Sequence, residues 1–318
     1  MATDVSRALW ITGPGRCEIR SAPLGPLAPG HVRVRATLSG ISRGTERLVH
    51  AGAVPTSEFD RMRAPFQQGG FDFPVKYGYC ASGTVVAGEG HAPGTRVFVL
   101  HPHQDVFDVP AAAALPVPDG VPPARAVLAA NLETAINALW DHPARVGDRV
   151  AIVGLGAVGL CLARLLAAVP GIDLAGIDPS AAARARAGLP GECADDRDLV
   201  FHCSGTAAGL GRAIALAGFE ATVVEMSWYG DREVPVALGG AFHSRRLRLA
   251  ASQVGAVSPA RRATRSHADR LTLALRLLAE PRFRLDLGAP VPFDALPDRY
   301  AALLDGPDAS PLPLVSYR

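Results

Sequence analysis

Lysine is nearly absent from this chain, although basic residues are plentiful. Lys76 is the one lysine among 32 basic residues, and 30 acidic residues balance them, so the formal net charge is only +2. Surfaces that bind nucleic acid or acidic membranes usually carry a strong charge excess, so we expect neither partner. The preference for arginine is best explained by codon composition, not by function.

Long apolar runs and paired cysteines are also missing. No run approaches the roughly 18 apolar residues that a membrane span requires, and the N-terminus lacks a basic stretch followed by an apolar one. The cysteines show no C-x-x-C spacing, which argues against a structural zinc ribbon. We therefore expect a reduced, cytoplasmic protein with no membrane partner. The cysteines are Cys17, Cys80, Cys161, Cys193 and Cys203.

The composition is otherwise that of a globular protein with about two domains. Of the 318 residues, 48% are hydrophobic and 19% are charged, enough to fill sizeable cores. Residues 1–118 alternate between short strand-like runs and Gly or Pro breaks. His31–Leu38 is the clearest run, since its apolar residues alternate strictly, as in a half-buried strand. The other strands predicted in this part are Arg7–Thr12, Gly83–Ala87 and Arg96–Leu100.

A linker-like stretch, Pro118–Pro123, precedes a region in which strands and helices alternate. This alternation predicts an α/β domain with a parallel sheet. The C-terminal residues are rich in proline and are predicted to return to the first domain, which gives domains of 1–120 with 274–318, and 121–273. The predicted helices are Ala124–Trp140, Val158–Val169, Thr206–Ala217 and Ala268–Leu278. The predicted strands are Val150–Val153, Ile172–Ile177, Asp198–Cys203, Glu220–Met226 and Arg246–Ala251.

A glycine-rich turn in the second domain is typical of dinucleotide binding. Gly154, Gly156 and Gly159 form G-x-G-x-x-G between an apolar strand and a helix of apolar periodicity. The first glycine permits the tight turn, the second lets the backbone approach a pyrophosphate, and the third lets helix and strand pack closely. The helix N-terminus, with Ala157 and Val158, offers N–H groups and a partial positive charge to the phosphates.

A carboxylate follows the next strand. Asp178 lies where an acidic side chain accepts both hydroxyl groups of an adenosine ribose. The complete pattern of strand, helix, strand and acid predicts a dinucleotide site instead of a simple glycine turn. Because a 2′-phosphate would lie against a like charge, Asp178 predicts NAD(H) over NADP(H). Arg184 and Arg186 on the following helix could weaken that preference.

The chain as a whole resembles the medium-chain dehydrogenase/reductase superfamily. Its Ser-Gly-Ile-Ser-Arg-Gly-Thr-Glu stretch resembles the bacteriochlorophyllide dehydrogenase branch. The resemblance implies an α/β fold, with a Rossmann doubly wound parallel sheet and a GroES-like β-rich catalytic domain. It also implies hydride transfer to or from a small-molecule substrate, and we expect a homodimer. The stretches that carry the resemblance are Gly40–Glu46, Gly94–Phe98, the helix with Thr134, the glycine-rich turn and Ser252–Gly255.

The sequence departs from the zinc-dependent members of that superfamily at the metal site. Those members have a Cys after Gly-Ile, a His-Glu pair after a Gly, and a further ligand at the start of the mid-chain helix. This chain has Ser42, then Tyr79 and Cys80, then Ala130 or Asn131 at these places. A catalytic zinc needs about three N, S or carboxylate ligands. Since the four-cysteine zinc loop is absent too, a zinc-free member is predicted.

The predicted catalytic side chains are Ser42, Thr45, Glu46 and Tyr79. The resemblance implies that the Thr45 hydroxyl relays a proton and that Glu46 orients Arg43 or a water. Tyr79 takes the place of a metal-binding histidine, so it would face the substrate. A phenol with a pKa of about 10 can donate a proton if a nearby cation lowers that pKa. Alternatively, Tyr79 forms only a wall of the pocket.

Further contacts are predicted for the cofactor and the substrate. By the resemblance, Arg43 contacts the pyrophosphate and Thr134 lies at the nicotinamide end, while Ser204 follows a strand of the same sheet. His101 and His103 form an H-x-H pair that either binds a metal or, more commonly, supplies hydrogen-bonded pocket residues. Trp228 and Tyr229 form either part of the hydrophobic core or a wall of the substrate pocket. The predicted substrate-pocket residues are His101, His103, Asn131, Trp228 and Tyr229.

Residues 51–75 are rich in glycine and aromatic residues, which predicts either a mobile lid over the site or a docked loop.

Three functions are compatible with the sequence. The first is a zinc-independent, NAD(H)-dependent oxidoreductase for a secondary alcohol/ketone pair. The second is an NAD(P)H-dependent quinone or enoyl reductase, and the third is a non-catalytic NAD-binding redox sensor.

Overall fold

The computed structural model describes residues 5–306 and 310–317, and the chain divides into two compact units. The first unit comprises Met1–Ala130 and Leu275–Arg318, and the second comprises Asn131–Ala274. The first division therefore falls after the predicted boundary at residue 120. The reason is that a short helix, Pro123–Ala126, and the start of the next helix belong to the first unit.

Sixteen strands and eight α-helices lie in the described residues. The strands are β1 Val5–Gly13, β2 Arg16–Pro23, β3 His31–Gly40, β4 Gln68–Gly69, β5 Val75–Lys76, β6 Ala81–Gly88, β7 Arg96–Val99, β8 Val106–Pro110, β9 Leu115–Pro116, β10 Arg149–Val153, β11 Asp173–Ile177, β12 Arg197–His202, β13 Ala217–Glu225, β14 Arg248–Ala251, β15 Val291–Pro292 and β16 Leu314–Ser316. The helices are α1 Arg43–Ala51, α2 Pro123–Ala126, α3 Ala129–Asp141, α4 Ala157–Leu166, α5 Ala181–Ala187, α6 Ala207–Leu216, α7 His267–Leu277 and α8 Leu296–Asp305.

The first unit contains two mostly antiparallel sheets. A four-stranded sheet has the order β2-β1-β5-β4, and a seven-stranded sheet has the order β15-β16-β3-β6-β7-β9, with β8 paired to β3. In β3 the side chains of Val32, Val34 and Ala36 are buried, as expected from the strict alternation. These side chains pack on Phe107 in the core. Strand β16 pairs with β3, so C-terminal residues complete this sheet.

Seven strands of this unit were not predicted, namely β2, β4, β5, β8, β9, β15 and β16. Strand β2 pairs with β1 as a hairpin around Pro14–Gly15, yet most of its side chains are exposed, so it lacks an apolar pattern. The predicted helix Ala124–Trp140 is wrong in one respect, because the chain forms two helices, α2 and α3, with a break at Val127–Leu128. Both residues at the break are fully buried.

The second unit is a five-stranded parallel sheet in the order β11-β10-β12-β13-β14. The chain starts at β10, adds β11 on one side and then crosses to β12 on the other. The carboxyl ends of β10 and β12 therefore border the topological switch point, where open α/β sheets bind their ligands. Within the described residues, no helix is long and apolar enough to cross a membrane.

Candidate cofactor and catalytic site

The glycine-rich turn of the second unit has the geometry that a bound pyrophosphate requires. Gly154 has a φ of +100°, and a Cβ there would lie 2.5 Å from the Ser204 backbone nitrogen. A Cβ at Gly159 would lie 2.0 Å from the Gly154 carbonyl oxygen. At Gly156, by contrast, a Cβ would meet no atom within 4 Å. Gly154 and Gly159 are thus needed for close packing, while Gly156 leaves the turn open to an approaching group.

Helix α4 begins directly after this turn. Gly156 is its N-cap residue and has no side chain to cap the first N–H groups, which belong to Ala157, Val158 and Gly159. Uncapped N–H groups and the positive end of the helix dipole favour a phosphate at this position. The residues present therefore fit the pyrophosphate of a dinucleotide.

Asp178 follows β11 and is partly buried beside the glycine-rich turn. Its Oδ2 accepts a hydrogen bond from the Leu155 backbone N–H at 2.8 Å, and its Oδ1 accepts one from the Ser180 N–H at 2.8 Å. Each carboxylate oxygen has a second lone pair that a ribose hydroxyl can use. A cation is also near, since Arg184 donates to the backbone oxygens of Asp178 and Pro179 at 2.5 and 3.0 Å.

Two polar side chains that sequence reasoning missed lie at the same edge of the sheet. His202 ends β12 and Glu225 ends β13, and the two residues are register partners. The His202 ring contacts Glu225 through Nδ1 and the predicted site residue Ser204 through Nε2. The Tyr229 hydroxyl donates to Glu225 at 3.0 Å. The available signal was a single polar residue at the end of each apolar strand.

The remaining predicted residues of this unit lie on α3 and after β13. Asn131 is buried and Thr134 is partly buried on α3, while Trp228 is partly buried in the segment after β13. Their predicted contacts with cofactor or substrate stay predictions. Glu133 is also on α3, and its carboxylate accepts a hydrogen bond from Arg270 at 3.0 Å. The side chains of Glu133 and Arg270 are both buried.

In the first unit, Tyr79 lies against the start of α1. Its hydroxyl forms hydrogen bonds with the side chains of Ser42 and Thr45. Burial, followed by the charges of Cys80 and Glu46, raises the Tyr79 pKa well above its usual value, although the two hydrogen bonds oppose this shift. This shift is opposite to the one that a nearby cation would cause. Tyr79 stays protonated at neutral pH.

Lys76, the one lysine of the chain, contacts a glutamine. Its Nζ donates to Gln104 Oε1 at 2.6 Å. Burial lowers the Lys76 pKa to about 8, because the charged ammonium group loses its water. Lys76 is thus part of the packing between β5 and the segment before β8.

Glu46 is fully buried and accepts three hydrogen bonds. They come from the Ser42 backbone N–H at 2.7 Å, from His103 Nε2 at 2.9 Å and from the Tyr300 hydroxyl at 2.6 Å. Sequence reasoning assigned Glu46 to Arg43 or a water, whereas these groups are its partners in the structure. The carboxylate fixes the start of α1, and with it the position of Ser42.

The network continues on the other side of His103. Its Nδ1 contacts Ser39 Oγ at 2.7 Å, and that oxygen contacts the Tyr317 hydroxyl at 2.8 Å. We call these five side chains the closed network: Glu46, His103, Ser39, Tyr300 and Tyr317. The sequence identified only Glu46 and His103. The two tyrosines come from the C-terminal residues, far away in sequence from α1, so no local pattern connects them.

Arg43 has a role that the sequence did not indicate. Its Nε donates to the Leu304 carbonyl at 2.8 Å, and one Nη donates to the Gly306 carbonyl at 2.9 Å. These carbonyls lie at the C-terminus of α8, where a cation complements the helix dipole. The predicted contact of Arg43 with the pyrophosphate stays a prediction.

His101 and His103 occupy different environments despite their H-x-H spacing. The His101 ring stacks on Phe107 with ring centroids 3.7 Å apart, and its Nδ1 contacts the Pro102 carbonyl. Burial lowers the His101 pKa to about 3, so the ring is neutral. Among the described residues, no three His, Cys, Asp or Glu side chains are grouped as metal ligands would be. Hydrogen bonds and ring stacking hold the two rings, while a role in the substrate pocket stays a prediction.

The aromatic segment at residues 51–75 is packed against the first unit. Phe71 is buried, and its ring lies 5.6 Å from Phe59 and 5.8 Å from Tyr77. The Tyr77 ring lies 6.1 Å from Tyr79 in turn. The segment therefore forms an aromatic row that ends at the predicted catalytic tyrosine.

Comparisons with known proteins found one curated relative and many solved structures of similar fold. No protein-family model matches the chain. One curated relative is the 2-desacetyl-2-hydroxyethyl bacteriochlorophyllide A dehydrogenase of Cereibacter sphaeroides, which is 38% identical over 95 residues. Those residues are 29% of this chain and 26% of the relative, so the match spans about a quarter of the relative's length.

Solved structures match nearly the whole chain. The 2R,3R-butanediol dehydrogenase of Bacillus subtilis has a TM-score of 0.76 and 17% identity, covering 98% of this chain and 100% of its own. Acetophenone reductase from Geotrichum candidum with NAD has a TM-score of 0.76 and 16% identity, covering 100% and 98%. S. aureus TarJ with NADPH has a TM-score of 0.75 and 14% identity, covering 99% and 100%. The chain has the medium-chain dehydrogenase fold. The predicted fold class is confirmed.

Within the medium-chain dehydrogenase fold, this chain has an unusual set of side chains at the predicted metal positions. The Ser42 side chain forms a hydrogen bond with Tyr79, and burial keeps Tyr79 protonated. Neither residue therefore offers an anionic ligand. Burial also raises the Cys80 pKa, which disfavours a thiolate. At the third position, Ala130 and Asn131 offer no thiolate, imidazole or carboxylate. This set does not fit a catalytic zinc, which needs about three deprotonated or lone-pair ligands.

Proposed function

We propose that this protein is an NAD(H)-dependent oxidoreductase that transfers a hydride between the nicotinamide and a secondary alcohol/ketone pair, without zinc. The observation that carries the proposal is the glycine-rich turn, which is open at Gly156, closed by packing at Gly154 and Gly159, and followed by Asp178. The names of the similar proteins agree with it, since they include a butanediol dehydrogenase and an acetophenone reductase. Cytoplasmic location and a homodimer stay predictions from the sequence.

The cofactor would be held by the second unit in three places. The N–H groups at the start of α4 would bind the pyrophosphate, Asp178 would accept the adenosine ribose hydroxyls, and Ser204 would lie at the switch point. When bound, NAD(H) supplies or accepts the hydride, which is chemistry that no side chain can provide. The protein must then position the substrate and manage one proton.

Tyr79 is the side chain best suited to manage that proton. This assignment rests on position, because Ser42 and Thr45 hold its hydroxyl, while the raised pKa keeps the phenol protonated at neutral pH but makes it a weaker acid. A protonated phenol can donate to the oxygen of a carbonyl that is being reduced, whereas it cannot accept a proton from an alcohol. The direction of the pKa shift therefore predicts that deprotonation of Tyr79 does not limit carbonyl reduction at neutral pH.

The test of this function is NADH oxidation against a panel of ketones and aldehydes with zinc-free protein. We expect turnover of at least one secondary ketone, and a loss of about 10²-fold or more in kcat for Tyr79→Phe, the usual scale for a positioned general acid. NADH affinity should stay unchanged. Thr45→Val is the competing test, since Thr45 is the other candidate for the proton relay. A fully active Tyr79→Phe variant with a slow Thr45→Val variant would assign the proton to Thr45.

Cofactor choice is a separate prediction, because nearby side chains oppose each other. The Asp178 carboxylate repels a 2′-phosphate. The Arg184 guanidinium, which reaches from α5 to the backbone oxygen of Asp178, would attract one. We expect NADH to bind at least about tenfold more tightly than NADPH, since Asp178 is the nearer group to the ribose in our assignment. Asp178→Ser should remove this preference, and Arg184→Ala should increase it. Isothermal titration with both cofactors decides, and equal binding to wild type would contradict the assignment.

A further inference from the structure

A buried acid–base group lies at the carboxyl edge of the parallel sheet, and the proposed reaction does not use it. Its centre is His202, a polar residue that is fully buried at the end of the apolar strand β12. Its Nδ1 lies 2.9 and 2.8 Å from the two carboxylate oxygens of Glu225. Its Nε2 lies 2.6 Å from Ser204 Oγ. We call these three side chains, with Tyr229, the open cluster.

The partners of His202 determine where the protons lie. A carboxylate only accepts hydrogen bonds, so Nδ1 carries the proton that points to Glu225. In the neutral ring, Nε2 is then an acceptor, and the Ser204 hydroxyl must donate to it. Glu225 is held in turn by the Tyr229 hydroxyl at 3.0 Å and by the Ser227 backbone N–H at 2.8 Å.

The open cluster lies next to the glycine-rich turn. The Cys203 N–H donates to the Val153 carbonyl at 2.7 Å, so the segment after β12 runs beside the end of β10. Gly154 lies so close that a Cβ there would be 2.5 Å from the Ser204 nitrogen. Gly209 leaves the space for the contact itself, because a Cβ there would lie 2.0 Å from Ser204 Oγ and 2.8 Å from His202 Nε2.

The order serine, histidine, glutamate also occurs in nucleophilic catalysis, but the surroundings do not support acyl transfer here. Such a site needs backbone N–H groups that are free to stabilise an oxyanion. The Gly205 N–H already donates to Ser227 Oγ at 3.0 Å, and the Thr206 N–H donates to Ser204 Oγ at 3.3 Å. The N–H groups beside the serine are thus used, which leaves ligand binding as the role of the cluster.

We propose that the open cluster couples NAD(H) binding to the uptake of one proton by His202. This inference rests on the proposed function, because it concerns the same cofactor site. When a solvent proton adds to Nε2, the ring becomes a donor towards Ser204 Oγ. The Ser204 hydroxyl is then released from His202 and can donate to Thr206 Oγ1, which lies 2.9 Å away, or, when the cofactor is bound, to an oxygen of the cofactor at the switch point. The Glu225 carboxylate stabilises the imidazolium ion.

Three other groups near the cluster bear on this protonation. Burial and the Glu225 charge raise the pKa of Tyr229 and of Cys203, so both stay neutral at physiological pH. The Arg232 guanidinium lies 5.9 Å from the centre of the Tyr229 ring and opposes a second positive charge. On the α6 side the ring meets Gly209, which carries no charge. Glu225 is therefore the ionised group in direct contact with His202.

Proton uptake can be measured directly in the full chain. NADH is the probe, because it lacks the 2′-phosphate of NADPH, which itself titrates near neutral pH. Isothermal titration at one pH in two buffers of different ionisation enthalpy gives the number of protons taken up on binding. Across a pH series we expect an uptake that approaches about one proton, and a Kd that rises by up to about tenfold per pH unit where that uptake is seen.

Variants assign the proton to the cluster. Ser204→Ala keeps the pair of His202 and Glu225 intact and removes the switched hydroxyl, so both the uptake and the pH dependence of the Kd should disappear. His202→Gln, which is neutral at every pH, should have the same effect if it folds. His142→Gln in the same unit is the matched control and should behave as wild type.

The possible results separate this inference from the proposed function. A wild-type Kd that does not change with pH, or an uptake that persists in Ser204→Ala, overturns the coupling and leaves the oxidoreductase proposal intact. A chain that fails to bind NADH at any pH overturns both.

Discussion

Each of the two units holds a histidine between a glutamate and a serine, but the two arrangements differ in their access to solvent. In the closed network, His103 lies between Glu46 and Ser39, and all three residues have 0% exposure. In the open cluster, His202 also has 0% exposure, yet Glu225 and Ser204 are partly exposed. The same three residue types are thus sealed in one unit and reach a sheet edge in the other.

The difference teaches how to separate structural from functional polar groups. A buried network in which every donor and acceptor has a partner stabilises one conformation, and a ligand has no free group to contact. The closed network is of this kind, since Glu46 alone accepts three hydrogen bonds. The open cluster ends in a serine at the switch point, so a ligand can compete for its hydroxyl. We expect mutations to affect stability in the first case and binding in the second.

The largest effect should come from a second closed group, which lies in the same unit as the open cluster. Arg270 is 1% exposed and donates to Glu133 and to the Val254 carbonyl. Arg270→Met would leave the Glu133 carboxylate buried and unpaired, so we expect a loss of about 3–5 kcal/mol in the free energy of unfolding. Urea denaturation measures this, and adding Glu133→Leu should restore part of it. A loss below about 1 kcal/mol would contradict the distinction by burial.

The two glutamates provide the next test. Glu46→Gln replaces an acceptor of three hydrogen bonds by an amide whose NH₂ group faces donors, so the free energy of unfolding should fall by about 3 kcal/mol. Glu225→Gln is the matched control. Because water can reach that site, its loss should stay near 1 kcal/mol, while the pH dependence of NADH affinity should change. Equal losses in the two variants would mean that solvent access does not separate the two groups.

The sequence predicted the second unit better than the catalytic side of the first. The glycine-rich turn and Asp178 are local signals, because the backbone itself forms the binding geometry there. The partners of Glu46 could not be predicted, since Tyr300 approaches it from a helix more than 250 residues away in sequence. His202 and Glu225 likewise meet only because β12 and β13 pair in that register. Sequence patterns show which elements form, whereas contacts between distant side chains require the fold.

The smallest effects should distinguish the two serines. Ser39→Ala removes the partner of His103 Nδ1 and of the Tyr317 hydroxyl, and it leaves a buried ring nitrogen unsatisfied. We expect a loss of about 1–2 kcal/mol in the free energy of unfolding, with NADH affinity unchanged. Ser204→Ala should lose only about 0.5 kcal/mol, since Thr206 and water can replace its contacts, but NADH should bind more weakly at low pH.

Both serine variants remove one hydroxyl group from a histidine, so they differ mainly in where that group lies. Denaturation curves and NADH titrations on the same two proteins therefore form a crossed comparison. If Ser39→Ala weakens NADH binding while Ser204→Ala changes only stability, the assignment of the two groups is reversed. If each variant affects only its expected quantity, access at the sheet edge is what turns a buried histidine, glutamate and serine from a structural element into a binding one.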